Sequence, residues 1–381
     1  MINYIKKKIN KKIDSERMEK LLKNEDFIPI ANRCTKPIKT VVIAIARMLK
    51  FSGGYTSILR LGTQLENNGF KVYYMLMSDY QSIKEAQQNA ELNLKGYKGT
   101  IINKSEYEST NADAIIATFW RTVYETKHMS GYKLYFVQDY EPYFSQYGEQ
   151  YILARKSYDM GYHMVSLGGW NKHMVEHECG EKPDFDVIDF PFEPSEYSMT
   201  SKDYSALKNK DSYDLAVFIK SDQKRLPNIV NSMVGNLEKE FRANGKKLNV
   251  RFFGIDKSFK VSCGENLGIL NKQQLQELYR SSDFGMCASM TNVSLVPYEM
   301  LACGLPLIEF EDGTFPFFFP EGAAILTDFS YKRLYEKMMS YAENPERIEK
   351  MMSIAHGYMS NLSWVNTGRQ FAEILRKAGG E

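Results

Sequence analysis

Apolar residues along this chain come in short blocks separated by longer stretches with helical periodicity. Ile38–Ala46 (IKTVVIAIA) is rich in β-branched side chains, the pattern of a strand buried on both faces of a parallel sheet. A loop over Leu49–Gly54 follows, then a helix over about Tyr55–Asn68 closed by Gly69 in the position of a C-terminal cap. Phe70–Met77, Asp113–Trp120, Lys133–Gln138 and His163–Leu167 read as further strands, with helical or polar material between them. Phe185–Tyr197 contains Pro191 and Pro194 and leads into a polar stretch, which fits a linker. A second series then runs through Asp214–Lys220, Leu248–Gly254, Leu267–Leu270, Phe284–Ala288, Leu305–Phe310 and Ala323–Thr327, and a last helix follows Trp364.

Strands alternating with helices imply βαβ units and mostly parallel sheets. The expected fold class is α/β, with two Rossmann-like, doubly wound domains. A helical extension covers residues 1–36. The first domain covers 37–195 and is completed by a C-terminal crossover helix over 362–381; the second covers 196–361. Open α/β sheets bind ligands outside the carboxyl ends of their strands, so a central cleft between two such domains is the expected site.

Of the 381 residues 43% are hydrophobic and 13% aromatic, which excludes wholesale disorder. Forty-nine basic against 47 acidic residues leave a formal charge of +2, unlike the strongly basic footprint of a nucleic-acid binder. Cys34, Cys179, Cys263, Cys287 and Cys303 form no CxxC pair, so free thiols in a reducing compartment are expected. No apolar run approaches the roughly 20 residues that span a bilayer, and MINYIKKKINKK has no apolar region of a secretory signal after it. The expectation is a soluble cytoplasmic protein. Ile2, Ile5, Ile9 and Ile13 recur at helical spacing among lysines. Such a basic amphipathic helix either packs on the domain behind it or touches the inner membrane face peripherally.

The most informative segment is Ser281–Glu311. A strand (FGMCAS) ends in a polar loop, Met290–Ser294, which opens a helix over Val296–Cys303 closed by Gly304-Leu305-Pro306. A strand–loop–helix junction aims free amides and the positive helix end at whatever lies above it, a ready anion site. Pro297 sits early, where a missing N–H costs nothing, and Glu299 is expected in the first turn, where the dipole alone would also favour an acid. Lys220, Lys224 and Arg225 gather at the end of the strand DLAVFIK, either as a solvated basic turn or as a corner that neutralises a diphosphate. In the first half, Ser52-Gly53-Gly54-Tyr55 joins strand to helix without a GxGxxG fingerprint or a P-loop lysine. Tyr135–Phe144 (YFVQDYEPYF) ends a buried strand in two carboxylates and several aromatics.

TNVSLVPYEMLACGLPLI resembles the donor-binding motif of glycosyltransferase family 4, which has the GT-B fold. Gln-Asp-Tyr-Glu-Pro at 138–142, with Trp120-Arg121 after the preceding strand, resembles the rhamnosyltransferases of bacterial surface-glycan assembly. The resemblance implies a metal-independent, retaining transfer of a sugar to a glycan or lipid-linked glycan. It implies no cofactor beyond a nucleotide-sugar co-substrate, with dTDP-rhamnose favoured. Glu299 would hold the ribose hydroxyls. The amides of Asn292, Val293, Ser294 and Leu295 would meet the diphosphate with Lys220, Lys224 and Arg225, beside Gly53 and Gly54. Ile269 and Leu270 would flank the base. Trp120, Arg121, Asp139, Tyr140 and Glu141 would face the acceptor, and its proton would go to Asp139 or to the leaving phosphate oxygen.

Thr291 stands where the family has its first Glu, the residue that contacts the transferred sugar. That departure keeps two rivals open: a UDP-hexose enzyme of the same fold, and a glycan-binding or scaffold protein without catalysis. His173 and His177 (WNKHMVEHE) are not HExxH, and Asp184-Phe185-Asp186 imitates DxD only in spelling, so no metal is expected. There is no GxSxG elbow.

Overall fold

The structure, a computed structural model, describes residues 15–16, 18–19, 21–23, 25–179, 184–193, 197 and 199–380. The basic helix expected around Ile2, Ile5, Ile9 and Ile13 lies outside these residues. The chain divides into two compact units. One takes the described residues up to Leu167, Asn171–Asp189 and those from Thr367 onward; the other takes Gly168–Trp170 and the described residues from Phe190 to Asn366.

The first unit holds a wholly parallel sheet of strands β1 (Thr40–Ile45), β2 (Lys71–Leu76), β3 (Thr100–Asn103), β4 (Ala114–Ala117), β5 (Tyr132–Val137), β6 (His163–Leu167) and β7 (Phe185–Ile188). Their order is β3-β2-β1-β4-β5-β6-β7. The centre is where the β-branched runs fall: Val41 lies between Val72 and Ala114, and nearly every residue of β1, β4 and β5 is buried. Helices α1 (Gly53–Asn67), α2 (Ile83–Asn93), α3 (Trp120–Thr126), α4 (Glu149–Ser157) and α5 (Gly169–Glu178) connect the strands.

Two strands depart from expectation. Thr100–Asn103 lies in the polar stretch, and Phe185–Ile188 lies in what reads as linker. Both are four-residue edge strands whose apolar content is too small to signal a strand.

The second unit holds β8 (Ser212–Phe218), β9 (Lys247–Phe253), β10 (Glu265–Asn266), β11 (Phe284–Met286), β12 (Leu307–Phe310) and β13 (Ile325–Thr327), again all parallel, in the order β10-β9-β8-β11-β12-β13. The run Leu267–Leu270, expected as a strand, is a turn: the ladder uses Glu265–Asn266, and Gly268 takes φ +80°. Helices α6 (Pro227–Ala243), α7 (Lys272–Ser281), α8 (Leu295–Ala302), α9 (Tyr331–Ala342) and α10 (Pro345–Met359) cover this sheet. Gly304 ends α8 at φ +71°, where an added Cβ would lie 2.7 Å from the Thr200 carbonyl oxygen.

The last helix, α11 (Trp364–Ala378), joins the first unit from Thr367 onward. Phe371 meets Phe136 edge-on at 6.0 Å. Gln370 accepts from the Asp189 amide at 2.8 Å and donates to its carboxylate at 2.6 Å. In both sheets the strand order reverses once, between β1 and β4 and between β8 and β11. Those carboxyl ends are the switch points where such folds take ligands.

Candidate functional site

In the second unit, β8 runs out through Lys220 into a 3-10 turn over Gln223–Arg225, capped by the Asp222 carboxylate. The turn swings Arg225 against the end of β11. Its guanidinium, 5% exposed, donates to the Ala288 carbonyl (3.2 Å), Ser289 Oγ (3.4 Å), the Asn292 carbonyl (3.0 Å) and Asn292 Oδ1 (2.7 Å). The loop before α8 is therefore tied to the neighbouring strand end by one cation. The three cations expected to act alike have separate situations: Arg225 is an internal brace, Lys224 is half-buried and Lys220 is exposed.

A group that the sequence reading missed completes this corner. Glu309, wholly buried in β12, accepts from the Ser289 amide at 3.0 Å and from Ser289 Oγ at 2.6 Å. Burial pushes its carboxyl up to about 7, against the opposing pull of Ser289 and the nearby Arg225 charge. Thr314 closes the other side, its amide and hydroxyl donating to the Ser289 carbonyl at 2.6 and 3.0 Å. A carboxylate in an otherwise apolar buried strand (LIEF) was the available signal.

Loop and helix then meet at Ser294, the N-cap of α8, whose side chain makes no capping bond. Thr291 Oγ1 and Ser294 Oγ are both buried without a hydrogen-bond partner among the described residues. An unsatisfied buried polar group costs about 1–3 kcal/mol, so the mouth of this helix is built for something else to complete. Val293 is buried and Leu295 half-exposed beside it.

Glu299 is not in the first turn as expected. The helix starts at Leu295, which puts Glu299 at the start of the second turn. Its carboxylate is held there by Tyr279 of α7, whose hydroxyl donates to Oε2 at 3.2 Å. Burial first, and the Glu299 charge second, raise the Tyr279 phenol far above its ordinary range. Leu270 packs against the core, whereas Ile269 is 81% exposed. This segment is fixed by the Gly254 amide donating to the Gly268 carbonyl at 2.9 Å.

In the first unit, Gly53 and Gly54 form the first turn of α1 rather than a loop before it. No atom lies within 4 Å of where a Cβ on Gly53 would stand; at Gly54 the nearest are Oε1 and Nε2 of Gln138, at 3.8 and 3.9 Å. The glycine pair and the start of Gln-Asp-Tyr-Glu-Pro are thus brought together.

The rest of that motif turns inward, contrary to expectation. Glu141 is wholly buried and its Oε2 accepts from the Trp120 amide, the first of α3, at 2.6 Å. Burial pushes this carboxyl up to about 8, while Trp120 and Tyr135 pull it back. Tyr140 is buried in a stack with Tyr158. Asp139 is also buried, with Oδ1 accepting from the Tyr140 amide at 2.9 Å. Trp120 is buried, with the Arg121 guanidinium 5.0 Å over its ring. The reason is local: past Val137 the chain enters a 3-10 turn over Glu141–Phe144, whose first half faces the interior. The exposed side chains are Tyr143 and Phe144 in its second half and Tyr147 beyond it.

Elsewhere, Asp186 Oδ2 lies 2.9 Å from His163 Nε2 at the amino ends of β6 and β7, the edge opposite the switch point. His173 and His177 stack on each other along α5. Among the described residues no group of His, Cys, Asp and Glu is arranged to hold a metal, and no helix is long and apolar enough to cross a membrane.

No family model matches the chain. It is 26% identical over 214 residues to the O-antigen biosynthesis protein RfbC of Myxococcus xanthus, a stretch covering 53% of this chain and 16% of that longer protein. Among solved structures it is similar to Anabaena HepE in complex with UDP-glucose, at TM-score 0.65 and 12% identity over 89% of this chain and 99% of HepE. It is also similar to WaaG, a glycosyltransferase of lipopolysaccharide biosynthesis (TM-score 0.58, 14% identity, 88% and 99% covered). The sucrose-phosphate synthase of Thermosynechococcus elongatus matches at TM-score 0.63 and 11% identity, with 89% and 98% covered. These likenesses show the fold. The chain has the GT-B fold, with two parallel-sheet, Rossmann-like domains.

Proposed function

We propose that this protein is a glycosyltransferase that takes a nucleotide sugar in its second unit and passes the sugar to a glycan acceptor presented by its first. One observation carries the reading: at the switch point of the second sheet, Arg225 pins the loop whose amides and orphaned hydroxyls open α8, and Glu299 stands on that same helix, oriented by Tyr279.

Glu299 suits the two hydroxyls of a ribose, since an ionised carboxylate accepts two hydrogen bonds at once. The amides from Asn292 to Leu295 and the hydroxyls of Thr291 and Ser294 suit the diphosphate at the helix mouth. Lys220 and Lys224 add positive charge where negative charge grows as the glycosidic bond breaks, which stabilises the transition state more than the ground state. Arg225 serves by fixing the loop. Ile269 offers an exposed apolar face to the base. Of the two acids in the acceptor motif, Glu141 is bound to the Trp120 amide, so Asp139 or the leaving phosphate oxygen receives the acceptor proton.

The Gln-Asp-Tyr-Glu-Pro motif favours dTDP-rhamnose as donor, with retention at the anomeric carbon and no metal. The HepE structure with UDP-glucose favours a UDP-hexose instead. The match to RfbC supports a role in surface-glycan assembly. Melting-temperature shifts with dTDP, UDP and their sugars, on the wild type and Glu299→Ala, test this. The expected result is a shift with one nucleotide class that Glu299→Ala removes. No shift with any nucleotide overturns the reading.

A further inference from the structure

Five non-glycine residues among the described ones take left-handed backbone: Phe27, Phe51, Asn111, Asn209 and Leu226. Asparagine tolerates that region, whereas leucine and phenylalanine rarely enter it. Leu226 and Phe51 occupy matching places. Each lies between the strand at the switch point of its sheet, β8 or β1, and the helix that follows, α6 or α1. Residues held against their backbone preference gather where a site needs the geometry, so their neighbours are informative. The neighbour of Leu226 is Arg225, whose guanidinium grips the loop before α8.

Leu226 breaks two rules at once. Its φ and ψ are both +47°, and it precedes Pro227, whose ring pushes the residue before it toward extended backbone. No cap is gained in exchange, since Leu226 is the N-cap of α6 and has no polar side chain. The conformation does provide a junction between two buried neighbours. The Leu226 amide closes the 3-10 turn on the Gln223 carbonyl at 2.9 Å, and its carbonyl opens α6 by accepting from the Val230 amide at 2.9 Å. Arg225 on one side and Pro227 on the other are both buried. An extended Leu226 would carry the guanidinium away from Ala288, Ser289 and Asn292, or swing the start of α6 out of the core. The Leu226 side chain also packs on that core, which is a second and separable role.

We infer that Leu226 is a positioning residue of the donor site: its left-handed backbone, and not its packing, turns Arg225 inward to hold the loop before α8. The inference rests on the glycosyltransferase reading for its purpose, since that loop is the one assigned to the diphosphate; the turn itself is independent of any ligand.

Hydrogen exchange of the full-length protein, read by mass spectrometry on a peptide spanning 288–295, tests this, because local opening of that loop is what a lost brace changes. Leu226→Ile keeps the side-chain volume, but its β-branch bars the left-handed region; Leu226→Gly loses the side chain and enters that region freely. Exchange in the loop is expected to quicken about tenfold for Leu226→Ile and to stay within about twofold of wild type for Leu226→Gly. Leu226→Ala keeps the strain without the packing and is expected to follow the wild type; it separates the two roles if the isoleucine variant does not fold. Glycine or alanine exchanging as fast as isoleucine or faster overturns the inference, as does a rise spread evenly through the second sheet. In an Arg225→Ala background Leu226→Ile is expected to add nothing in the loop, and a persisting tenfold effect shows that Leu226 does not act through Arg225. Adding UDP or dTDP to the wild type reports separately on the donor site. If neither slows exchange in the same peptide, the transferase reading fails while the ranking of the variants still decides the role of Leu226.

Discussion

Ser289 gives both its amide and its hydroxyl to the carboxylate of Glu309, 20 residues further along the chain and one strand over. Through Ser289 a wholly buried acid holds the loop that Arg225 grips from the other side. Burial raises Glu309 from 4.5 to about 7, and Glu141 in the first unit from 4.5 to about 8. In the pH range between 4.5 and those values the unfolded chain binds fewer protons than the folded one. The stability that these groups lend is therefore complete below about 4.5 and is lost as pH rises through 7 and 8. Glu309→Gln is neutral at every pH and removes one such loss. The melting temperature of the variant minus that of the wild type should increase from pH 5 to pH 8. A difference that stays flat or decreases contradicts the buried titration.

Arg225 and Lys220 lie five residues apart in sequence, yet their substitution should have opposite signatures. Arg225→Ala strips the hydrogen bonds of Ala288, Ser289 and Asn292 together, so it should lower stability by about 2–3 kcal/mol as buried acceptors lose their donor. Arg225→Lys cannot reproduce the forked geometry and should recover only part of that. Lys220 is exposed, so Lys220→Ala should leave chemical denaturation unchanged and act only on turnover of a nucleotide sugar. Equal stability of the Lys220 and Arg225 variants would remove the distinction between brace and ligand cation.

Glu299 and Tyr279 should behave as a pair. Loss of a hydrogen bond to a charged group costs about 1.5–3 kcal/mol, so Glu299→Ala should weaken nucleotide binding by roughly 10- to 150-fold. Tyr279→Phe removes only the group that aims the carboxylate and should cost less. In the double variant the Tyr279 effect should disappear, because nothing remains to orient. Calorimetric titration with UDP and dTDP measures all three, and full additivity would show that Tyr279 does not act through Glu299.

Much of the fold was legible because β1, β2, β5, β6 and β8 are near-continuous apolar runs, which only a two-faced sheet position can bury. β3 and β7 escaped because an edge strand needs few apolar residues, and Phe185–Ile188 alternates too briefly to register. The loop before α8 was legible through Pro297, Glu299 and Gly304, whose positions follow from local helix chemistry. Its supports were not: Glu309 and Arg225 reach it across neighbouring strands, and no local pattern encodes a partner so distant in the chain. The inward turn of Glu141 was hidden for the same reason, since its partner is the Trp120 amide and a short 3-10 turn has no period that sorts inside from outside.

Phe51 supplies a last prediction, because its backbone breaks a local rule. It takes φ +54° although it is an aromatic residue, and its side chain is 77% exposed. The strain is imposed from α2 and the residues before it. The Gln81 side chain bonds to the Met48 amide and carbonyl at 2.7 and 2.8 Å, Asn89 donates to the Met48 carbonyl at 2.8 Å, and Asn93 donates to the Leu49 carbonyl at 2.6 Å and accepts from the Ser52 amide at 3.0 Å. A left-handed conformation at a non-glycine residue costs about 1–3 kcal/mol, whereas glycine adopts it freely at an entropic cost of about 0.5–1 kcal/mol. Phe51→Gly should therefore stabilise the protein by about 1 kcal/mol, while Phe51→Ala keeps the strain and should not. Denaturant titration of both variants measures the contrast. If glycine and alanine give the same midpoint, the loop is not strained at this position and the bonds from Gln81 and Asn93 hold nothing against its preference.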